Sequence, residues 1–190
     1  MKERIKGSTK PSYKLDLKLK FEQIPTWDGN TDTIVEWIND VNNFAAYSEE
    51  IQQQLGSVVP RRLRGSAKAW YYSLPPSYRS QVETNWVHVR TTIGEYYMNR
   101  KWTEDMKRKA QRAKYRESGY SRETPGEYYV RKTNLLSIVY DLDDSELISE
   151  VMEGAPPEWA TILTTQSYTT AMQFQQAIRY HEHTLMELGN

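Results

Sequence analysis

Apolar residues recur at helical spacing along most of this chain. In one run the apolar side chains are three or four positions apart, on one side of a helix: Ile34, Trp37, Ile38, Val41, Phe44 and Ala45. Comparable runs predict further helices over about residues 48–63, 66–74, 84–97, 103–116, 124–139, 143–154 and 171–188, with a brief helix around Trp159. Lys14–Lys20 instead alternates with period two, which leaves a short strand as an alternative there. The pattern predicts an all-α fold.

Several predicted helices have recognisable ends. Thr124-Pro125-Gly126-Glu127 is a capping box with proline at the first helical position. Asp32 is predicted to cap the first helix, and Asp143 or Asp144 to cap the helix that ends at Gly154.

The last predicted helix repeats its apolar residues in alternating three- and four-residue steps, which is typical of a seam for a neighbouring helix. That neighbour belongs either to a second copy or to the same molecule. If it belongs to a second copy, the candidate self-association residues are Phe174, Ile178 and Leu185.

Charge divides the chain into a basic and an acidic part. Residues 1–116 contain 21 Lys and Arg against 13 Asp and Glu, whereas residues 117–190 contain 4 against 12. Opposite charges of this kind favour self-association or an anionic partner, and two solvated faces are the alternative. We predict a flexible basic arm over 1–20 and two small helical subdomains over 21–100 and 104–190. Their boundary is placed near residues 98–104, where the charge pattern also changes.

Two basic segments are candidates for nucleic-acid binding. A flexible positive arm is well suited to wrap around RNA. Its candidate RNA contacts are Lys2, Arg4, Lys6, Lys10, Lys14, Lys18 and Lys20. The run Arg100–Arg116 is either a solvated helical face, which we favour, or a path for a phosphate backbone, with Trp102 or Tyr115 available for stacking.

Composition argues against catalytic and metal chemistry. The 190 residues include no cysteine, which excludes disulfides, thiolate zinc knuckles and a cysteine nucleophile. His181 and His183 lie two positions apart and therefore diverge by about 200° on a helix, so they do not share a face for a metal ion. No apolar stretch is long enough to span a membrane. We predict no enzyme, no cofactor, no metal site and no membrane association.

Six tryptophans and fourteen tyrosines imply a packed core, and their order is informative. The ordered blocks are Trp27-Asp28-Gly29, Trp37, the Leu63-x-Gly65-x-Ala67-x-x-Trp70 segment and Trp86. Together they resemble the capsid region of Gag polyproteins from gypsy-type long-terminal-repeat retrotransposons, the group that includes the neuronal Arc protein. Glu123, Tyr128 and Arg131 also fit the spacing of the major homology region of such capsids. Gly119 and Lys132 depart from it, because a glutamine and an aromatic residue are usual there.

The resemblance implies N- and C-terminal capsid subdomains that self-associate into oligomers or shells around RNA, as an intracellular, cytoplasmic particle. Glu123, Tyr128 and Arg131 would then be structural residues of the C-terminal subdomain. RNA would be bound by basic segments or by a region downstream of this chain.

Two alternatives stay open at this point. One is a domesticated capsid domain that does not assemble and instead binds a peptide or protein in a groove of the N-terminal subdomain. Its candidate groove residues are Trp70, Tyr71 and Trp86. The other is a plain helical RNA-binding factor.

Overall fold

The computed structural model describes residues 19–189, and the chain divides into two compact units between Val89 and Arg90. The described residues confirm the predicted all-α fold. They contain no strand, and an isolated parallel bridge pairs Trp27 with Leu63. The alternative strand at 14–20 and the basic arm lie almost entirely outside the described residues. Of the candidate RNA contacts only Lys20 is described, as an exposed residue before a 3₁₀ turn at Phe21–Gln23.

Short helices make up the first unit. They are α1 (Ile34–Ala45), α2 (Glu49–Val58), a 3₁₀ turn (Val59–Arg62), α3 (Gly65–Ser73), α4 (Pro76–Val82) and the start of α5 (Trp86–Tyr97). Thr33 rather than Asp32 precedes the first helix, and its side chain does not cap it, since the Thr33 hydroxyl donates to Asn30 O at 3.0 Å. The division between the units falls within α5, about ten residues before the charge-based boundary at 98–104.

Three tryptophans form the centre of the first unit. The Trp27 and Trp37 rings stack with centroids 5.2 Å apart, and Trp86 meets Trp37 edge-on at 5.8 Å. Each indole N–H donates a hydrogen bond: Trp27 to Asn30 O, Trp37 to Pro25 O and Trp86 to Asn42 Oδ1. Buried indoles need such partners, so the spacing of the tryptophans in the sequence reflects core packing.

Gly29, two residues after Trp27, lets the chain pass closely over the start of α3. Gly29 has a φ of +100°, and a Cβ there would overlap the Ser66 hydroxyl. Across this contact Arg64 N donates to Trp27 O at 2.8 Å, and the Ser66 hydroxyl donates to Asp28 O at 3.0 Å. The Trp-Asp-Gly block and the Leu-x-Gly-x-Ala block of the sequence are therefore bonded to each other.

The second unit contains the end of α5 followed by α6 (Arg100–Arg112), α7 (Pro125–Val139), α8 (Asp144–Glu153), 3₁₀ turns at Pro157–Thr161 and Thr165–Ser167, α9 (Ala171–Tyr180) and α10 (Glu182–Leu188). Both capping boxes are present, at Thr124 with Glu127 and at Asp143 with Glu146. The predicted single helix over 171–188 is broken at His181, whose ψ of 12° is not helical.

Aromatic and aliphatic side chains from several helices fill the core of the second unit. Trp159 lies against Tyr115 and Tyr128, with ring centroids 4.8 and 6.1 Å away, and its indole N–H donates to Leu185 O. The other buried members include Tyr129, Ile148, Val151, Leu163, Phe174 and Ile178. Among residues 19–189, no helix has the length and apolar character needed to cross a bilayer.

The self-association residues proposed from the sequence belong to this core. Phe174, Ile178 and Leu185 are completely buried within the second unit, so the prediction that they form an interface between copies is wrong. Their seam is filled by other side chains of the same unit: Phe174, for example, lies against Tyr129 and Tyr168.

Candidate functional site

Arg131 lies at the centre of a polar cluster at the start of α7. Its guanidinium binds Glu123 through both carboxylate oxygens, Nε to Oε1 at 2.6 Å and Nη2 to Oε2 at 2.9 Å. Nη1 also donates to Glu117 Oε1 at 2.6 Å, and Nη2 donates to Lys114 O at 2.9 Å. The Glu123 side chain is only 4% exposed and that of Arg131 13%. We call this cluster the Arg131 network.

Tyrosine rings complete the Arg131 network. The guanidinium carbon lies 4.0 Å from the centre of the Tyr120 ring and 5.8 Å from that of Tyr128, both within the range of cation–π attraction. The Tyr128 hydroxyl is buried and donates to Val151 O at 2.7 Å, and burial raises the pKa of this phenol. The structure thus brings Glu123, Tyr128 and Arg131 together, and their polar atoms are all used within the second unit.

The next residue along α7, Lys132, is completely buried. Its Nζ donates to Ala110 O at 2.7 Å, Ala113 O at 3.2 Å and Gln111 O at 3.3 Å, which are carbonyls at the end of α6. Burial lowers the pKa of this amine. Sequence reasoning missed this contact, although Lys132 lies on the apolar face of α7 and replaces the usual aromatic residue, which is a signal of an unusual role.

An open groove of about 1410 Å³ adjoins the Arg131 network. The loop 119–124 forms one side, with α7, α9 and the first residue of α10 around it. Its exposed apolar side chains are Tyr120, Val130 and Met172, the last 68% exposed. Arg122, Glu127, Asn134, Gln175, Gln176 and Arg179 supply polar groups. We call this the α7–α9 groove; apolar residues flanked by polar groups suit a peptide or protein segment.

The groove predicted in the first unit is not present as predicted. Tyr71 and Trp86 are completely buried, and Trp70 is half-buried. The Tyr71 hydroxyl donates to Glu83 Oε1 at 2.7 Å, and burial with this partner raises the pKa of the phenol. These aromatics therefore pack inside the first unit, and the prediction that they line an accessible groove is wrong.

His181 and His183 are not joined by further metal-binding side chains. Within residues 19–189 no group of three or more His, Asp or Glu side chains is placed to hold a metal ion. His183 instead lies 3.6 Å from Glu187 on an exposed part of α10.

Comparison with models of protein families, with curated proteins and with solved structures finds no match to this chain.

Proposed function

We propose that this chain is a structural, Gag-like capsid protein that self-associates into oligomers or shells and packages RNA. The observation that carries the proposal is the bidentate ion pair of Arg131 with Glu123 beside the buried Tyr128. These are the residues on which the resemblance to a major homology region rests. Their polar atoms form hydrogen bonds within the unit. This suits a structural role and leaves few of these atoms available to bind a ligand.

Exposed groups of the second unit suit repeated contacts between copies. Met172 and Tyr180 on α9 are 68% and 85% exposed, and Val130 on α7 is 47% exposed. Weak contacts of this kind become effective when many copies assemble, because each contact raises the effective concentration for the next. RNA would be held by basic segments of each copy, including the arm over residues 1–20.

The proposal is tested by the mass of the protein in solution. Multi-angle light scattering and negative-stain microscopy are carried out over a range of protein concentrations, at low and high salt, with and without RNA. We expect discrete large oligomers or particles that increase with concentration. A monomer or dimer under every condition would refute self-assembly of this chain.

A second candidate function is a peptide-binding module, and the α7–α9 groove is the observation in its favour. The test selects peptides from a displayed library on the whole chain and measures their affinity by fluorescence anisotropy. Met172→Glu places a charge in the groove and is expected to abolish binding, whereas Tyr47→Glu, at an exposed aromatic of the first unit, serves as the matched control. Equal binding by both variants would exclude the groove as the site.

A further inference from the structure

Helix α8 carries a continuous acidic stripe. Asp143, Glu146, Glu150 and Glu153 are separated by three, four and three positions, so they lie on one side of the helix over about 15 Å. The opposite side carries the buried Ile148 and Val151. Asp143, Glu146 and Glu153 are exposed and Glu150 is half-buried. We call these four residues the acidic stripe.

The acidic stripe is not neutralised within the molecule. In residues 19–189 none of its four carboxylates forms an ion pair. Glu150 and Glu153 both act electrostatically on Lys132, but that amine is already bound to three backbone carbonyls. Four neighbouring carboxylates on one exposed helix side repel each other, and a positively charged partner would relieve this repulsion.

Helix α6 of the same unit has the opposite charge. Lys101, Arg108 and Arg112 are seven and four positions apart and lie opposite the buried Met106 and Ala110. Arg108 also forms an exposed ion pair with Asp105 on the same helix. The whole segment 100–114 contains seven Lys and Arg against two Asp and Glu. Lys101 to Arg112 extends over about 16 Å, so the length of this row matches that of the acidic stripe. We call Lys101, Arg108 and Arg112 the basic face.

We infer that the acidic stripe of one copy docks on the basic face of a second copy. This inference rests on the proposed self-association and names the surfaces that carry it. A second copy accounts for both charged surfaces at once, whereas bound RNA would account for the basic face alone. One such contact per copy is head-to-tail and builds rings or open chains, whereas two reciprocal contacts close a two-fold dimer.

Charge reversal with cross-complementation tests the inference. The acidic-stripe variant is Glu146→Lys with Glu153→Lys. It keeps the Asp143 side chain that caps α8 and the Glu150 carboxylate near Lys132, but it removes the Glu146 half of the capping box and the Glu153 carboxylate that also acts on Lys132. The basic-face variant is Lys101→Glu with Arg112→Glu, two exposed positions on α6. Far-UV circular dichroism checks that each variant is folded.

Association is measured by sedimentation velocity and light scattering at low salt, without nucleic acid. Each variant alone is expected to associate at least tenfold more weakly than the wild type. An equimolar mixture of the two should recover part of the association, because the lysines introduced on α8 of one variant can pair with the glutamates introduced on α6 of the other, while each altered surface keeps some of its original charges. The matched control, Glu36→Lys with Asp40→Lys on the exposed side of α1, should behave like the wild type.

The other outcomes are distinguishable. Wild-type association that both variants retain would overturn the contact between the acidic stripe and the basic face and leave self-association standing. A wild type that is monomeric under every condition would overturn the proposed function together with this inference. Retained association combined with a loss of RNA binding in the basic-face variant would assign α6 to RNA and overturn the contact between copies.

Discussion

Replacing Arg131 by methionine isolates the contribution of the Arg131 network. The substitution keeps an unbranched side chain in α7 but removes the charge and the four hydrogen bonds to Glu123, Glu117 and Lys114 O. Glu123 Oε2 then keeps the long hydrogen bond from Arg116 N at 3.4 Å, while its side chain is 4% exposed. A charge buried without its partner is the main source of the expected loss of stability.

The magnitude follows from the burial of each pair. Removing one partner of a buried ion pair typically costs about 3–5 kcal/mol, whereas an exposed pair contributes about 0–1 kcal/mol. Arg131 with Glu123 belongs to the first class, and Glu117, whose side chain is 33% exposed, is close to the second. We therefore expect Arg131→Met to lower the free energy of unfolding of the second unit by about 3 kcal/mol.

A double variant separates the free energy lost with the ion pair from the cost of leaving the Glu123 carboxylate buried without Arg131. In Arg131→Met with Glu123→Leu no carboxylate is buried alone, so about 2 kcal/mol of the loss should be recovered as coupling between the two positions. Urea unfolding followed by circular dichroism gives the free energies, and hydrogen exchange locates the change in residues 114–140 with α1 as the internal reference. A loss below about 0.5 kcal/mol for Arg131→Met, or strictly additive effects, would refute the reasoning.

Three shorter predictions concern other parts of the fold. Gly29→Ala should destabilise the first unit by about 2 kcal/mol or more in a thermal melt, because φ is +100° and the Cβ has no space, whereas Gly94→Ala, inside α5 with no atom within 4 Å of its Cβ, should stabilise by about 0.5–1 kcal/mol. Ile178→Asp should unfold the second unit, as monitored by near-UV circular dichroism, while the exposed Met172→Asp leaves it folded. Tyr128 has a raised pKa, so the unfolded chain loses this proton near pH 10 before the folded chain does, and stability should fall above pH 10. Tyr128→Phe should cost about 1 kcal/mol in urea titrations at neutral pH and show a smaller further loss above pH 10.

The sequence predicted what depends on neighbouring residues. The capping boxes at Thr124 and Asp143 are satisfied within four residues, so their sequence signature is complete and both helices begin as predicted. Helix α4, by contrast, has only seven residues and one buried side chain, Val82, which gives no apolar stripe to detect. Helix α3 ends at Ser73, close to the predicted end at residue 74, and Pro76 is the first residue of α4.

The sequence could not show which apolar faces are covered inside the molecule. Helical spacing places Ile178 and Leu185 on one side of a seam, but the same spacing serves an internal neighbour and a second copy equally well. The prediction of an aromatic groove in the first unit is wrong for the same reason, since Tyr71 and Trp86 are covered by residues of their own unit. Lys132 was beyond prediction because its three carbonyl acceptors lie about twenty residues away in α6.

The second unit uses its charges in two separate ways. Glu123 and Lys132 are buried and the Arg131 side chain is only 13% exposed, and their charged groups are bound within the unit, so dissolved salt screens them little. The acidic stripe and the basic face are mostly exposed. The attraction between exposed charges is screened by salt, with a Debye length of about 10 Å at 0.1 M, and weakens further as the salt concentration rises. If the exposed charges join copies while the buried ones hold the fold, salt must weaken association strongly and change unfolding little. A salt dependence shared equally by association and unfolding would contradict this division.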